Sequence, residues 1–425
     1  MTDHAKTIDA VFTRFGVDAK VDGCTIGPSV IRYECSVGRG VKVAAVTALQ
    51  DEIAYATAAR SIRIEAPIPG KSAIGIELPR ENRDIVRLSD VPLLGNHPLT
   101  IGIGKDIEGR MVTANLNEMP HLLIAGVTGS GKSSFIHSML CTLLETDPEQ
   151  CRMLLIDPKI VELGAYDGVA HLLQPVITEV DEAVTALKEL CVKMDERFEM
   201  MRKAGQRNID GLAPYIVVVV DEVADLLLQA KQAEQYIVRL TQKGRAAGIH
   251  LVLATQKPTV NALSSLVKSN CPTRLAFACS SASDSRVILD ENGAEQLLGK
   301  GDGLFKMGRD TVRIQGVLVT DEEISKSVRA ARATAAVEAK VHGTLTVDHS
   351  QYIDFFDQVI DKADASWQRA EDYFKRLHGK KGFFNRGGKM DEFVNAPKEL
   401  GEAAASLAEI AEALRFIKSS VVVGV

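Results

Sequence analysis

The 425-residue sequence predicts an α/β protein whose centre is a mostly parallel β-sheet covered by helices on both faces. Three observations lead there. Between residues 101 and 330, short apolar runs alternate with helical stretches: HLLIAG (121–126), MLLIDP (153–158), YIVVVVDE (215–222), HLVLATQ (250–256) and RLAFAC (274–279). Continuous apolar runs separated by helices mark parallel strands buried on both faces, joined by right-handed crossovers. The first run leads directly into a glycine-rich loop, GVTGSGKS (126–133), and then into the helical SSFIHSMLCTLLE. On either side of this region the pattern changes, so the chain divides into three parts.

The first part, residues 1–100, reads as a small α/β domain. VIRYECSV (30–37) and SIRIEAPI (61–68) alternate as half-buried strands do, and AAVTALQDEIAYATAA (44–59) between them predicts a helix. Gly and Pro punctuate the remainder. In the central part, a long helix with a charged face is expected near 179–204. The third part, residues 331–425, predicts a mainly helical region with helices near 350–378 and 398–418. A Gly- and Lys/Arg-rich linker, HGKKGFFNRGGKM (378–390), lies between them. No tandem repeat is present.

Composition narrows the function classes. A net charge of −6 gives no global sign of nucleic-acid binding, although a local basic patch is enough for it. The seven cysteines form no CxxC pair and no metal-like spacing, as expected for reduced thiols. The start, MTDHAKTIDAVF, has no apolar core of a signal peptide, and no run of about 18 uncharged apolar residues predicts a membrane span. A soluble, cytoplasmic chain is the expectation.

The glycine loop carries the first chemistry. GVTGSGKS fits GxxxxGK[ST] in the strand–loop–helix context that the motif requires. Glycines at Gly126, Gly129 and Gly131 let backbone N–H groups turn inward, so Gly126, Val127, Thr128, Gly129, Ser130, Gly131, Lys132, Ser133 and Ser134 would cradle the phosphates of ATP. Lys132 would reach the β- and γ-phosphates, and the Ser133 hydroxyl would ligate Mg²⁺. YIVVVVDE brings two carboxylates to the C-terminal end of a strand, where open α/β sheets bind ligands. Asp221 would hold the Mg²⁺ shell and Glu222 would orient the attacking water as general base. The plainer alternative for this pair is an acidic helix cap in DEVADLL.

Strand order explains a further residue. P-loop ATPases of the RecA-like type place the fourth of the five strands between the first and the third. LVLATQ would then end between the phosphate loop and the Mg²⁺ ligands. Gln256 at its end would sense the γ-phosphate, whereas the plainer alternative has it satisfy backbone at a turn.

Several stretches resemble the FtsK/SpoIIIE DNA translocases: DPKIVELGAYDGVAHLL (157–173), VVVVDEVADLL (217–227), QKGRAAGIHLVLATQKPTV (242–260), NCPTRLAF (270–277) and DSRVILDENGAEQLLGKGDGLF (284–305). FGVDAKVDGCTIGPSVIRYE, PGK and IGIELP resemble the small domain that precedes the motor in that family. The resemblance covers roughly residues 10–325 and implies a homohexameric ring that threads double-stranded DNA and hydrolyses ATP between subunits. It also implies an arginine given in trans to the transition state. Arg274 matches that position best, with Arg245 and Arg286 as rivals. DNA contacts are expected from Arg286 and from Lys300, Lys306, Arg309 and Arg313, in loops without an aromatic platform, which suits a duplex. The DPK turn also matches the family. Asp157 there suggests a supporting role near the site, and no catalytic role is assigned to it.

The larger members carry membrane spans and a terminal winged-helix domain, and residues 331–425 do not match the latter. Two other functions fit parts of the pattern. One is a secretion-type ring ATPase that acts on protein. The other is a replication-initiation or scaffold protein that uses the ATPase domain as a nucleotide-dependent clamp.

Overall fold

A computed structural model describes residues 3–91, 97–259 and 263–342, with no side-chain description of residue 3 or of 334–342. The chain divides into two units, Met1–Ala336 and Val337–Val425. The predicted helices at 350–378 and 398–418 and their basic linker lie outside the described residues.

The first elements are α1 (Asp3–Arg14), β1 (Ala19–Ile26), β2 (Val30–Val37), α2 (Val43–Thr47), α3 (Gln50–Ala56), β3 (Arg63–Glu65) and β4 (Ile74–Pro79). They build a four-stranded antiparallel sheet in the order β1-β2-β4-β3, with Ile8, Phe12, Tyr33, Ile53 and Ile76 in its core. Two expectations change. The single helix at 44–59 is broken at Ala48–Leu49, with Leu49 at φ −88° and ψ 12°. No Gly or Pro marks that break in the sequence. The strand at 61–68 shortens to three residues. Pro67 has no N–H to add to a ladder, and Ser61 turns away to donate to the Gln296 carbonyl at 2.9 Å.

The larger part runs β5 (Thr100–Asp106), β6 (Met111–Asn115), β7 (His121–Ala125), α4 (Lys132–Leu143), β8 (Cys151–Ile156), α5 (Val180–Ala204), β9 (Tyr215–Val220), α6 (Val223–Gln229), α7 (Ala233–Lys243) and β10 (Ile249–Thr255). It continues with α8 (Ser265–Asn270), β11 (Thr273–Phe277), α9 (Ala282–Leu289), β12 (Asp302–Met307), β13 (Asp310–Gln315) and α10 (Asp321–His342). One sheet takes all nine of these strands, in the order β6-β5-β13-β12-β11-β7-β10-β9-β8.

The five apolar runs of the sequence are the parallel core, β11-β7-β10-β9-β8. Their side chains alternate between two apolar layers. Leu122, Ile124, Val217, Val219 and Val252 pack towards α4, whereas Leu123, Val218, Val220, Leu251 and Leu253 pack towards α5 and α7. Both faces are therefore covered, which is why these strands lack a polar alternation. The helix expected near 179–204 is α5, closed by Gly205 at φ 68°, the left-handed cap that glycine supplies without penalty.

The sheet is mixed as a whole. β12, β13, β5 and β6 extend it antiparallel beyond β11. The hairpin expected in GKGDGLFKMGRDTVR forms, with a two-residue turn at Gly308–Arg309. β5 was not legible, because glycines interrupt its apolar pattern. One of them, Gly104, lies so close to β13 that a Cβ would stand 2.4 Å from the Gln315 carbonyl oxygen.

Candidate nucleotide-binding site

The C-terminal ends of β7, β10 and β9 lie side by side, with β10 in the middle. This neighbourhood, anticipated from strand order, brings Lys132, Ser133, Asp221, Glu222 and Gln256 to one edge of the sheet.

The glycine loop is braced from behind. Gly126 N–H donates to Thr255 O at 3.3 Å, Val127 N–H to Ala278 O at 2.9 Å, and Ser130 N–H back to Val127 O at 3.0 Å. Gly301 N–H donates to Ser130 O at 2.7 Å and Lys300 N–H to Gly129 O at 3.2 Å. The segment 299–301 is thus a strap against the loop. A Cβ on Gly131, at φ 116°, would stand 2.5 Å from Gly301 N, so no larger residue fits. Among the described residues nothing accepts the N–H groups of Gly129, Gly131, Lys132 or Ser133. Free N–H groups at the start of a twelve-residue helix fit a phosphate.

The side chains of the site are held by one another. Lys132 Nζ donates to Asp221 Oδ1 at 2.6 Å and to the Asp221 carbonyl at 2.9 Å, and both side chains are buried. Burial pushes the Asp221 carboxyl up, while the Lys132 ammonium pulls it down. Glu222 stands at the N-terminal cap position of α6, yet its side chain caps nothing there. It points across to β10 instead. Glu222 Oε1 accepts from Thr255 Oγ1 at 2.6 Å, and Oε2 accepts from Gln256 N–H at 3.0 Å. Gln256 Oε1 accepts from Thr128 Oγ1 of the glycine loop at 3.3 Å. Gln256 therefore links the two, with its side-chain oxygen on the phosphate loop and its backbone N–H on Glu222.

Four participants were not assigned from sequence: Lys159, Glu162, His137 and Thr255. Asp157, fully buried, accepts from the backbone N–H groups of Lys159, Ile160, Val161, Glu162 and Leu163, at 2.9 to 3.2 Å. That carboxylate winds residues 158–163 into a tight loop and places Ile160 at φ 59°, a conformation that a β-branched residue adopts only when its surroundings impose it. The loop delivers two side chains to the site. Lys159 Nζ lies 3.3 Å from Glu222 Oε2 and 3.2 Å from Asp225 Oδ2. Burial lowers the Lys159 ammonium, but the two carboxylates outweigh it and raise its pKa overall. Glu162 Oε1 accepts from Ser133 Oγ at 2.8 Å, and its Oε2 lies 3.4 Å from His137 Nε2. His137 beside it, and then Ser133, hold the Glu162 carboxyl below the usual range against its partial burial.

The remaining assignments separate. The Ser134 hydroxyl faces away from the loop, donating to Val317 O at 2.9 Å and accepting from Val319 N at 3.0 Å. Arg274 is tied within its own chain. Its guanidinium donates to the carbonyls of Cys271, Ile288 and Lys268 and to Asp290 Oδ2 at 2.5 Å.

The basic series does not form one patch. Arg313 is a correction: it is buried, held 2.6 Å from both Glu77 of β4 and Asp302 of β12, and offers nothing to a phosphate. Lys306 is half-buried, donating to Leu289 O at 2.5 Å near Glu291. Lys300 is exposed at the strap beside the glycine loop, whereas Arg309 is exposed on the turn at the far end of β12. Those ends are roughly 17 Å apart at the usual rise of a strand. Arg286, on α9, is exposed and, among the described residues, its side chain pairs with Asn292, at 2.7 Å. Thr311 donates to Glu291 and Lys306 to Leu289, so the end of α9 and the Gly308–Arg309 hairpin are joined.

Two side chains fit a magnesium ion by their chemistry, the Ser133 hydroxyl and the Asp221 carboxylate, both hard oxygen donors. Among the described residues no group of three or more His, Cys, Asp or Glu could hold a metal alone. Magnesium that arrives with phosphates and keeps its waters needs only one or two protein oxygens.

A parallel core in this strand order, with a GxxxxGK[ST] loop on its first strand and a DE pair on its third, defines a P-loop ATPase of the RecA-like type. The chain belongs to the FtsK/SpoIIIE family. The model of that family matches residues 94–213 and 211–260, and that of the FtsK alpha domain matches residues 1–80. The DNA translocase FtsK of Mycobacterium tuberculosis is 49% identical over 400 residues, covering 87% of this chain and 48% of the relative. DNA translocase FtsK of Bacillus cereus is 46% identical over 352 residues, covering 77% of this chain and 44% of the relative. The chain thus spans about half the length of the curated relatives it matches.

Among solved structures, the pCW3 conjugation coupling protein TcpA, in a monomer form with ATPγS, is similar with a TM-score of 0.56 at 23% identity. That match covers 77% of this chain and 99% of TcpA. The cytoplasmic domain of the Thermomonospora curvata Type VII secretion ATPase EccC has a TM-score of 0.50 at 25% identity, covering 55% of this chain and 31% of EccC. These likenesses support the fold. Among the described residues, no helix is long and apolar enough to cross a membrane.

Proposed function

We propose that this chain is the motor portion of an ATP-driven translocase that moves double-stranded DNA through a ring of six copies, in the cytoplasm. The observation that carries the proposal is the meeting of Lys132, Ser133, Asp221, Glu222 and Gln256 at one sheet edge, in a chain 49% identical to a DNA translocase. Residues 101–330 are the motor and residues 1–100 a small α/β domain packed on it.

In this assignment the glycine loop binds the phosphates of ATP and Lys132 leaves Asp221 for them. Ser133 and Asp221 hold Mg²⁺, which supplies charge neutralisation to the phosphates when bound. Glu222 is the base that orients water. Gln256, tied to both the loop and Glu222, reports the presence of the γ-phosphate. Arg274 is the cation given to a neighbouring site, and it must leave Asp290 to act there. Arg286 and Arg309, exposed on joined elements, are the duplex contacts we favour. Phosphate contacts of this kind carry no base information.

The test is ATPase rate with and without linear duplex, together with displacement of a triplex-forming strand. Stimulation, displacement and steep weakening of binding with salt are expected. A chain that neither responds to duplex nor displaces the third strand overturns the proposal. Affinity for a folded protein in place of duplex points to a secretion-type role.

A further inference from the structure

The Ser133 hydroxyl has one proton, and the chain commits it to Glu162. Oγ donates to Oε1 at 2.8 Å. Asp221, the acid assigned to the metal, is engaged by Lys132 at 2.6 Å, so it does not compete for that proton. Glu162 is itself held from two sides. Asp157 accepts its backbone N–H at 2.9 Å. His137 Nε2 stands 3.4 Å from its other oxygen, and His137 Nδ1 lies 3.0 Å from the Tyr166 hydroxyl. With His137 as a neutral imidazole these contacts are met in one direction: Tyr166 O–H donates to His137 Nδ1, and His137 Nε2–H and Ser133 Oγ–H both donate to Glu162. A hydroxyl whose proton is fixed in this way turns its lone pairs away from the acceptor. The hydroxyl is at the second residue of α4, beside Lys132 and the loop whose N–H groups are free.

We propose that Glu162 is a positioning residue for magnesium: it accepts the hydrogen bond of the Ser133 O–H so that the Ser133 oxygen presents its lone pairs to Mg²⁺, and His137 and Tyr166 hold it in place. This rests on the nucleotide-site assignment above and deepens it. Glu162 acts through Ser133, and nothing in the site requires it to touch the nucleotide. The turn that Asp157 winds is what swings residue 162 back to Ser133 of α4.

The test separates metal from nucleotide. Binding of a fluorescent ATP analogue to the full chain is measured in EDTA and across a Mg²⁺ titration, for wild type, Glu162→Gln, Glu162→Ala, Ser133→Ala and the double variant. In EDTA the Glu162 variants should bind the analogue as wild type does. Half-saturating Mg²⁺ should rise about tenfold in Glu162→Ala and less in Glu162→Gln, which keeps an acceptor oxygen. Adding Glu162→Ala to Ser133→Ala should change it no further, because the two act as one unit. A general loosening of the site would not give that non-additivity. The Asp157 turn is made by backbone N–H groups, so the loop should survive either substitution, and a thermal melt checks this. Unchanged Mg²⁺ dependence in folded Glu162→Ala, or full additivity with Ser133→Ala, overturns the proposal. A wild-type chain that binds the analogue with no response to Mg²⁺ overturns the magnesium assignment as well. That result differs from a wild-type response that persists in the variant.

Discussion

The Arg313 guanidinium lies 2.6 Å from the Glu77 carboxylate, and the two side chains are 3% and 0% exposed. Glu77 belongs to β4 of the small sheet and Arg313 to β13 of the large one. Asp302 completes the arrangement at 2.6 Å from the same guanidinium, and Arg63 approaches Glu77 at 3.2 Å. The Glu77 carboxyl stays below its usual range although burial pushes it up, because Arg313 and Arg63 outweigh the burial. The pair is the charged joint between the two sheets.

Removing Arg313 leaves Asp302 buried without its main cation and Glu77 with Arg63 alone. We expect Arg313→Met to cost about 3–5 kcal/mol in urea unfolding, the range for breaking a buried pair from one side. A loss under about 1 kcal/mol would contradict the joint. Arg286→Ala and Arg309→Ala should leave stability nearly unchanged. If those residues contact phosphate, each lowers the salt slope of duplex binding by about one.

Lys132 and Glu222 should fail in different ways. Lys132→Ala removes the cation meant for the phosphates, so analogue binding should be lost. Glu222→Gln preserves an acceptor for the Thr255 hydroxyl, so binding and the melting midpoint should hold. Turnover should drop about 10²–10⁴-fold, the usual contribution of a general base. A Gln variant that turns over normally shows that the base is another residue.

Arg274 combines a proposed trans role with an observed local one. Its guanidinium joins the ends of α8 and α9 through three carbonyls and Asp290. Arg274→Ala should therefore destabilise the chain by about 2–4 kcal/mol, measured by denaturant unfolding. Mixing it with Lys132→Ala subunits should restore part of the ATPase activity if the arginine acts across an interface. Folded variants that show no recovery would move the trans role to an exposed arginine, Arg286 or Arg245.

Two buried histidines set an acid limit on stability. Burial lowers His121 to about 3, aided by neighbouring His250, and lowers His250 to about 4. His121 Nδ1 accepts the Leu251 N–H at 3.1 Å, a bond that only the unprotonated nitrogen can make. Both folded values lie below the unfolded value near 6.5, so the unfolded chain binds more protons in that window. Stability is then present above pH 6.5 and falls as pH drops towards the folded values. Between pH 6.5 and 5 each histidine should cost about 2 kcal/mol. Urea titrations at the two pH values test this, and His250→Gln should remove about half of the slope.

Much of the site could be read from residue order. GVTGSGKS after an apolar run, and DE after another, locate two strand ends, and the parallel pattern places LVLATQ between them. Gln256 sits between Thr128 and Glu222 for that reason. Glu162 and Lys159 gave no such signal. They follow a strand by a few residues, and an acid and a lysine there look like any solvated loop. Only the five N–H groups gathered by Asp157 turn them inward. The basic series misled for the converse reason. Lys300, Lys306, Arg309 and Arg313 are neighbours in sequence, but a six-residue strand carries two of them to opposite ends and the pleat turns Arg313 inward to Glu77.

By itself the sequence determined the local chemistry of this protein: a phosphate loop, a carboxylate pair and five doubly covered strands. Each of those depends on periodicity or on spacing within one segment, and short-range sterics and hydrophobic burial enforce them. Only the tertiary structure decided which charges are free. Whether an arginine faces solvent or a carboxylate depends on residues more than two hundred positions away, as Arg313 does on Glu77. Desolvation and pairing act through space, and no local pattern records them.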